Sequence, residues 1–92
     1  MRIDWTLPAR RSLATIAEYI AQDDPVAAVA LDDAILGHVA ALGDHPRLGR
    51  VGRVEGTREL VIASNYLIIY CIDEESGSVS ILQVLHAKLE WP

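Results

Sequence analysis

The chain contains no phenylalanine, one cysteine and one methionine among its 92 residues. Without phenylalanine, the interior must be built from Leu, Ile, Val and Ala, with two Trp and three Tyr as the whole aromatic content. The single thiol, Cys71, excludes an internal disulfide, and inside "YLIIYCID" it reads as a small core residue rather than a reactive group. No apolar stretch approaches the roughly 18 residues a membrane helix needs. The N-terminal "MRIDWTLPARR" has no apolar signal core, so a cytoplasmic protein that does not engage a membrane is expected. Three isolated histidines and one cysteine do not make a metal site. "LGRVGRVEG" lacks both the Lys-Ser/Thr of a phosphate loop and the glycine spacing of a dinucleotide site. No cofactor and no metal are expected.

Positive charge is also scarce. Eight Lys and Arg stand against thirteen Asp and Glu, a net charge of −5, which argues against direct, specific nucleic-acid binding. The charge is unevenly placed. "HPRLGRVGRVEGTR" (45–58) holds four arginines, Arg47, Arg50, Arg53 and Arg58, against Glu55, for a net +3, and the remainder nets −8. A basic segment on an acidic body points either to an anionic partner or to a solvated loop that happens to contain arginines.

What is abundant is aliphatic side chain: hydrophobic residues make up 51% of the chain. Residues 1–92 suffice for one small domain, which buries roughly 60–65% of the surface its unfolded chain exposes. So thin an interior cannot absorb so many apolar residues, and some are expected to meet a partner.

Along the chain, "RIDWT" (2–6) alternates as a short strand. Thr6 is a candidate cap for a helix over 8–22, in which Leu13, Ile16, Ala17 and Ile20 form one face. Asp24 and Pro25 restart a second helix, whose stripe of Ala28, Leu31, Ile35, Val39 and Leu42 runs to Gly43. The short link between them predicts an antiparallel helix hairpin. Residues 44–57, with Pro46, Gly49, Gly52 and Gly56, read as loop. Three strands are expected at 58–63, 66–72 and 79–86, joined by a tight Ser64-Asn65 turn and a turn at Gly77. The order β-α-α-β-β-β predicts an α+β fold with the hairpin packed on an antiparallel sheet. Strict alternation gives neither "RELVIA" nor "VSILQVLH" a cleanly polar face, so the far side of the sheet is expected to be partly apolar.

The second half of the chain, "GTRELVI", "NYLIIYCID" and "VSILQVLHAKLEWP", resembles the ParE branch of the ParE/RelE toxins of bacterial type II toxin–antitoxin systems. "LPARRSLATIAEYIAQDDPVAA" and "LGDHPRLGR" resemble that family's helices and the link after them, so the likeness spans nearly the whole chain. The resemblance implies a small toxin neutralised by a ParD-like antitoxin whose C-terminal segment wraps it. ParE-type members poison DNA gyrase by binding, and RelE-type members cut mRNA on the ribosome; fold does not choose between them.

Cleavage of RNA without metal needs a base, an acid and positive charge beside the phosphate. Arg58 keeps one basic position and Lys88 another, but Leu67 stands where RelE-type members resemble one another in having arginine. Cys71 and Gln83 stand where ParE-type members often have it. His86 is either a hydrogen-bonded strand end or a contact with the target, and no acid is matched to it. Trp91 either caps the core or anchors an interface. No residue is therefore assigned as catalytic, and the terminal "VLHAKLEWP" reads as the end of a strand plus a recognition tail. The resulting expectation is a binding toxin whose target face includes Arg58, His86, Lys88 and Trp91. Its antitoxin surface would include Leu13, Ile16, Tyr19 and Ile20 on the hairpin and Arg47, Arg50 and Arg53 on the loop. An RNA endonuclease and an inactive relative that only binds an antitoxin are the alternatives.

Overall fold

The computed structural model describes residues 1–62 and 65–86. The elements are β1 (Arg2–Trp5), α1 (Leu7–Ala21), α2 (Pro25–Ala41), β2 (Arg50–Val51), β3 (Arg58–Ile62), β4 (Tyr66–Asp73) and β5 (Ser78–His86). The α+β class holds, and the expected helices and strands lie within one or two residues of their predicted bounds. Both helices start as their sequences dictate. Thr6 accepts the Ala9 N–H and Asp24 accepts the Ala27 N–H, each with a proline in the first turn. The Thr6 hydroxyl also donates to the Ile81 carbonyl at 2.6 Å, and Ser12 Oγ accepts the Val84 N–H at 3.0 Å. Two short hydroxyl side chains thus tie α1 to β5.

The five strands lie in the order β1-β5-β4-β3-β2. β2 through β5 form an antiparallel run, as expected for β3 to β5, but β1 pairs with β5 in parallel, with Ile3 opposite Val79. The sheet is therefore mixed. The physical reason is β2, two residues inside the segment read as loop. With a reversal at each connection, one extra strand turns an odd number of reversals between β1 and β5 into an even one, which makes the pair parallel.

A second departure lies in β5. Ile69 pairs with Gln83 but Tyr70 pairs with Ile81, so Leu82 is an extra residue in a β-bulge. The bulge switches the alternation. Val79, Ile81 and Val84 all join the core beneath the helices, although strict alternation separates Val84 from the other two. The opposite side of β5 then carries Ser80, Gln83 and Leu85, a more polar set than the unbulged reading allowed. That face of the sheet stays partly apolar through Leu67 and Ile69, both buried, and the exposed Val61.

The core joins Ala9, Ile35, Val39, Leu42, Leu60, Ile62, Ile68, Tyr70, Val79, Ile81 and Val84, with Ile3, Trp5, Leu13, Ile16, Leu31, Tyr66 and Ile72 packed around it. α2 contributes the stripe read from the sequence, but its remaining surface is apolar as well. Val26 is 79% exposed, Val29 62% and Leu36 44%. These two sides of one helix differ sharply in what they contribute to stability. Ile35→Ala should destabilise the chain by about 2–5 kcal/mol, because it opens a cavity in a closed interior. Val29→Ala should stay within about 0.5 kcal/mol. Urea denaturation of the two variants measures the contrast, and equal losses would contradict this division of α2.

Candidate functional site

Two surfaces were singled out by the sequence, the arginine segment and the hairpin. The arginine segment is built on two buried polar side chains. Tyr70, with no exposed surface, donates its hydroxyl proton to the Pro46 carbonyl at 2.7 Å and accepts the Gly49 N–H at 2.9 Å. Gly49 must be glycine here, since a Cβ would lie 2.7 Å from the Tyr70 hydroxyl and 2.8 Å from the Glu59 carbonyl oxygen. Arg58 donates to the Gly49 carbonyl at 2.7 Å. The loop is thereby pinned to β3 and β4 from the side that faces the helices.

On the other side of the sheet sits Glu59, its side chain 1% exposed. It accepts both the Arg50 guanidinium, at 3.1 and 3.2 Å, and the Arg53 backbone N–H at 3.1 Å. Burial by itself would push the Glu59 carboxyl up. The Arg53 amide, the Arg50 guanidinium and the charges of both arginines outweigh it and hold the carboxyl below the usual carboxylate range. Arg47 forms an exposed ion pair with Glu74. Within one chain, then, Arg50, Arg53 and Arg58 serve the folding of the 45–58 segment, and only the part of each side chain left at the surface can meet a partner. Sequence reading missed Glu59 and Tyr70. The only available signal was a glutamate in a strand, with arginines six and nine residues earlier.

The two described residues of the expected target face, Arg58 and His86, are not gathered into one hollow. Arg58 pairs with Tyr70 and His86 with Tyr66, so the two lie on opposite sides of β4 and four residues apart along it, roughly 13 Å of strand at about 3.3 Å per residue. His86 is half-buried and packs edge-on against Tyr66, with ring centroids 5.3 Å apart. Lys88 and Trp91 lie outside the described residues. Cys71 is a half-buried free thiol on the sheet face away from the helices. Among the described residues no group of three or more His, Cys, Asp and Glu could hold a metal ion, and no helix is long and apolar enough to cross a membrane.

The hairpin presents the larger feature. Leu13 and Ile16 pack against the core, whereas Tyr19 is 73% exposed and Ile20 is half-buried. Along the hairpin run open grooves. One, of about 310 Å³, is lined by Trp5, Arg10, Leu13, Ala14, Asp32 and Leu36. A second, of about 470 Å³, is lined by Ala17, Glu18, Ala21, Pro25, Ala28, Val29 and Asp32. Val26, Val29, Ala30, Leu36 and Gly37 share one side of α2 at helical spacing, interrupted by Asp33. A contiguous apolar surface with charged residues at its rim is the form of a protein-docking site rather than of a small-molecule pocket.

A family model described as the ParE toxin of type II toxin–antitoxin systems matches residues 3–91. The chain is 48% identical over 92 residues to Y4kP of Sinorhizobium fredii, covering 99% of this chain and 93% of that protein. It is 31% identical over 86 residues to toxin RelE2 of Caulobacter vibrioides, covering 94% of each. Among solved structures, the chromosomal ParDE system from P. aeruginosa shares the fold with a TM-score of 0.84 at 21% identity, over 96% of this chain and 97% of that one. The RelBE2 toxin–antitoxin complex from Mycobacterium tuberculosis is similar with a TM-score of 0.62 at 30% identity, over 92% and 95% of the two chains.

The Glu59 cluster makes stability depend on pH in a defined direction. Because the folded carboxyl titrates below its unfolded value, its contribution is complete above the ordinary carboxylate range of about 4.3 and is lost as pH falls through the lowered folded value. Glu59→Gln should lower stability at pH 7 by about 1–3 kcal/mol. It should also flatten the acid side of the urea-midpoint-against-pH curve. An unchanged acid slope in the variant would contradict the assignment.

Proposed function

This chain belongs to the ParE toxin family of type II toxin–antitoxin systems, and from that premise we propose that it acts in the cytoplasm by gripping DNA gyrase and is neutralised by a ParD-like antitoxin. No bond is made or broken by its own residues. The toxin holds gyrase stoichiometrically on DNA, and the antitoxin prevents this by covering the toxin's surface.

The observation that carries a binding mechanism is the uncovered apolar side of the hairpin, with Val26, Val29 and Leu36 at the surface of a folded chain. An amphipathic antitoxin segment laid along Val29 and Leu36 would fill the two grooves, with Leu13 lining the smaller one; Ile16, Tyr19 and Ile20, which line neither groove, would extend its contact on α1. A disordered segment can cover such a surface at the cost of its ordering entropy. The exposed parts of Arg47, Arg50 and Arg53 are the second antitoxin contact, for acidic residues of the same tail. Arg58, His86, Lys88 and Trp91 form the proposed target face. The separation of Arg58 from His86 supports gripping over RNA cleavage, which needs its acid, base and cation within reach of one phosphate.

Induction of the chain alone in a bacterial host tests the reading. The expected result is growth arrest with gyrase trapped on DNA, relieved by co-expression of the product of the adjacent short reading frame. Codon-phased mRNA cuts at the ribosome with gyrase unaffected would replace it with the endonuclease reading. Unimpaired growth would favour the inactive relative. Val29→Asp should leave the fold and the toxicity intact while reducing neutralisation by the antitoxin, read as arrest that persists on co-expression. Full neutralisation of this variant would remove the hairpin from the interface.

A further inference from the structure

Asp32 belongs to both hairpin grooves. It lines the smaller one with Trp5, Arg10, Leu13 and Leu36 and the larger one with Glu18, Ala21 and Val29. It is half-buried, and its carboxylate makes no hydrogen bond or ion pair with any other described residue. Arg10 shares the smaller groove with it, but the two form no ion pair. In the free chain this carboxylate remains partly open to solvent. Any apolar segment seated across both grooves would strip that solvent away, and a buried charge without a partner is strongly unfavourable.

On the reading that this hairpin receives an antitoxin segment, we propose that Asp32 is its specificity-determining residue and takes a lysine or arginine from the apolar side of that segment. The charge pattern around it also sets the segment's direction. Arg10 lies at the Trp5–Leu36 end, and Glu18 at the Pro25 end. The complementary segment carries its cation over Asp32, a further basic residue toward Glu18, and an acidic residue toward Arg10. Segments with the same apolar spacing but a neutral or acidic residue at the central position are rejected, because they leave Asp32 dry and unpaired. Discrimination of this kind comes from the penalty on the wrong partner as much as from attraction to the right one.

The test uses the full chain and the product of the adjacent short reading frame, with dissociation constants measured by calorimetry at two salt concentrations. Asp32→Asn is expected to weaken binding by about tenfold or more and to reduce its salt dependence. Asp32→Lys is expected to weaken binding by about a hundredfold. Replacing one basic residue of the antitoxin segment by Glu should restore binding to Asp32→Lys and to no other variant. Glu75→Gln, in the β4–β5 turn, serves as a control and should stay within about twofold. If the wild-type complex forms but both Asp32 variants bind within about twofold of it, this inference is overturned while the antitoxin reading stands. If the wild-type chain binds no such partner, the antitoxin reading fails and this inference with it. A stable homodimer of the free chain, broken by Val29→Asp and indifferent to Asp32→Asn, would put a second copy in the grooves and also overturn it.

Discussion

A two-layer α+β chain has one interior, and α2 has more apolar sides than that interior can accept. Ala28, Ile35, Val39 and Leu42 close against the sheet, and once they do, the helix geometry turns Val26, Val29 and Leu36 outward. Nothing in the rest of the chain reaches over them among the described residues. With no phenylalanine to enlarge the core, the main cluster beneath the helices is built chiefly from packed aliphatic residues, with Leu67 and Ile69 buried on the other face of the sheet. Any change that reoriented α2 to hide its outer side would empty that core. The surface left uncovered is thus a consequence of how the interior is filled, and it is the surface on which the functional reading rests.

The polar interior has the opposite logic. Glu59 and Tyr70 are buried, fully partnered, and hold the 45–58 segment against the sheet from its two sides. The arginines there are first structural. A charged loop is kept at a fixed place on an acidic chain because one carboxylate beneath it is worth satisfying. This separates two roles that the sequence alone merges: cations that shape the loop, and the acidic and apolar hairpin that faces outward. It also moves the electrostatic centre of the proposed antitoxin surface from the arginine loop toward Asp32.

Most of the architecture was legible because its signals are local and redundant. The Leu13–Ile16–Ile20 stripe, the Asp24-Pro25 restart and the Gly77 turn each act within a few residues, and Gly77 indeed adopts φ +67. The parallel pairing of β1 was not legible, because it depends on a two-residue strand with no periodicity to detect. The bulge at Leu82 was hidden for the same reason, since a single inserted residue reverses a two-residue alternation without altering composition. Of the candidate site, the hairpin was found through its excess of apolar residues. Its docking side was less clear: Leu13 and Ile16 serve the core, and the α2 residues on the outside resemble core residues in type. Glu59 read as one more surface acid, because burial of a single charge is set by tertiary neighbours. Asp32 was invisible for a related reason, as its isolation depends on two helices meeting.

The central claim is that the outer side of the hairpin is the covered surface in the functional complex. Amide hydrogen exchange of the free chain and of its antitoxin complex tests it most directly. The account predicts that added protection concentrates in Leu7–Ala21 and Pro25–Ala41, with β4 already protected in the free chain and little changed. Added protection confined to the sheet face around Glu59, Ile69 and Gln83, with both helices exchanging as before, would contradict it.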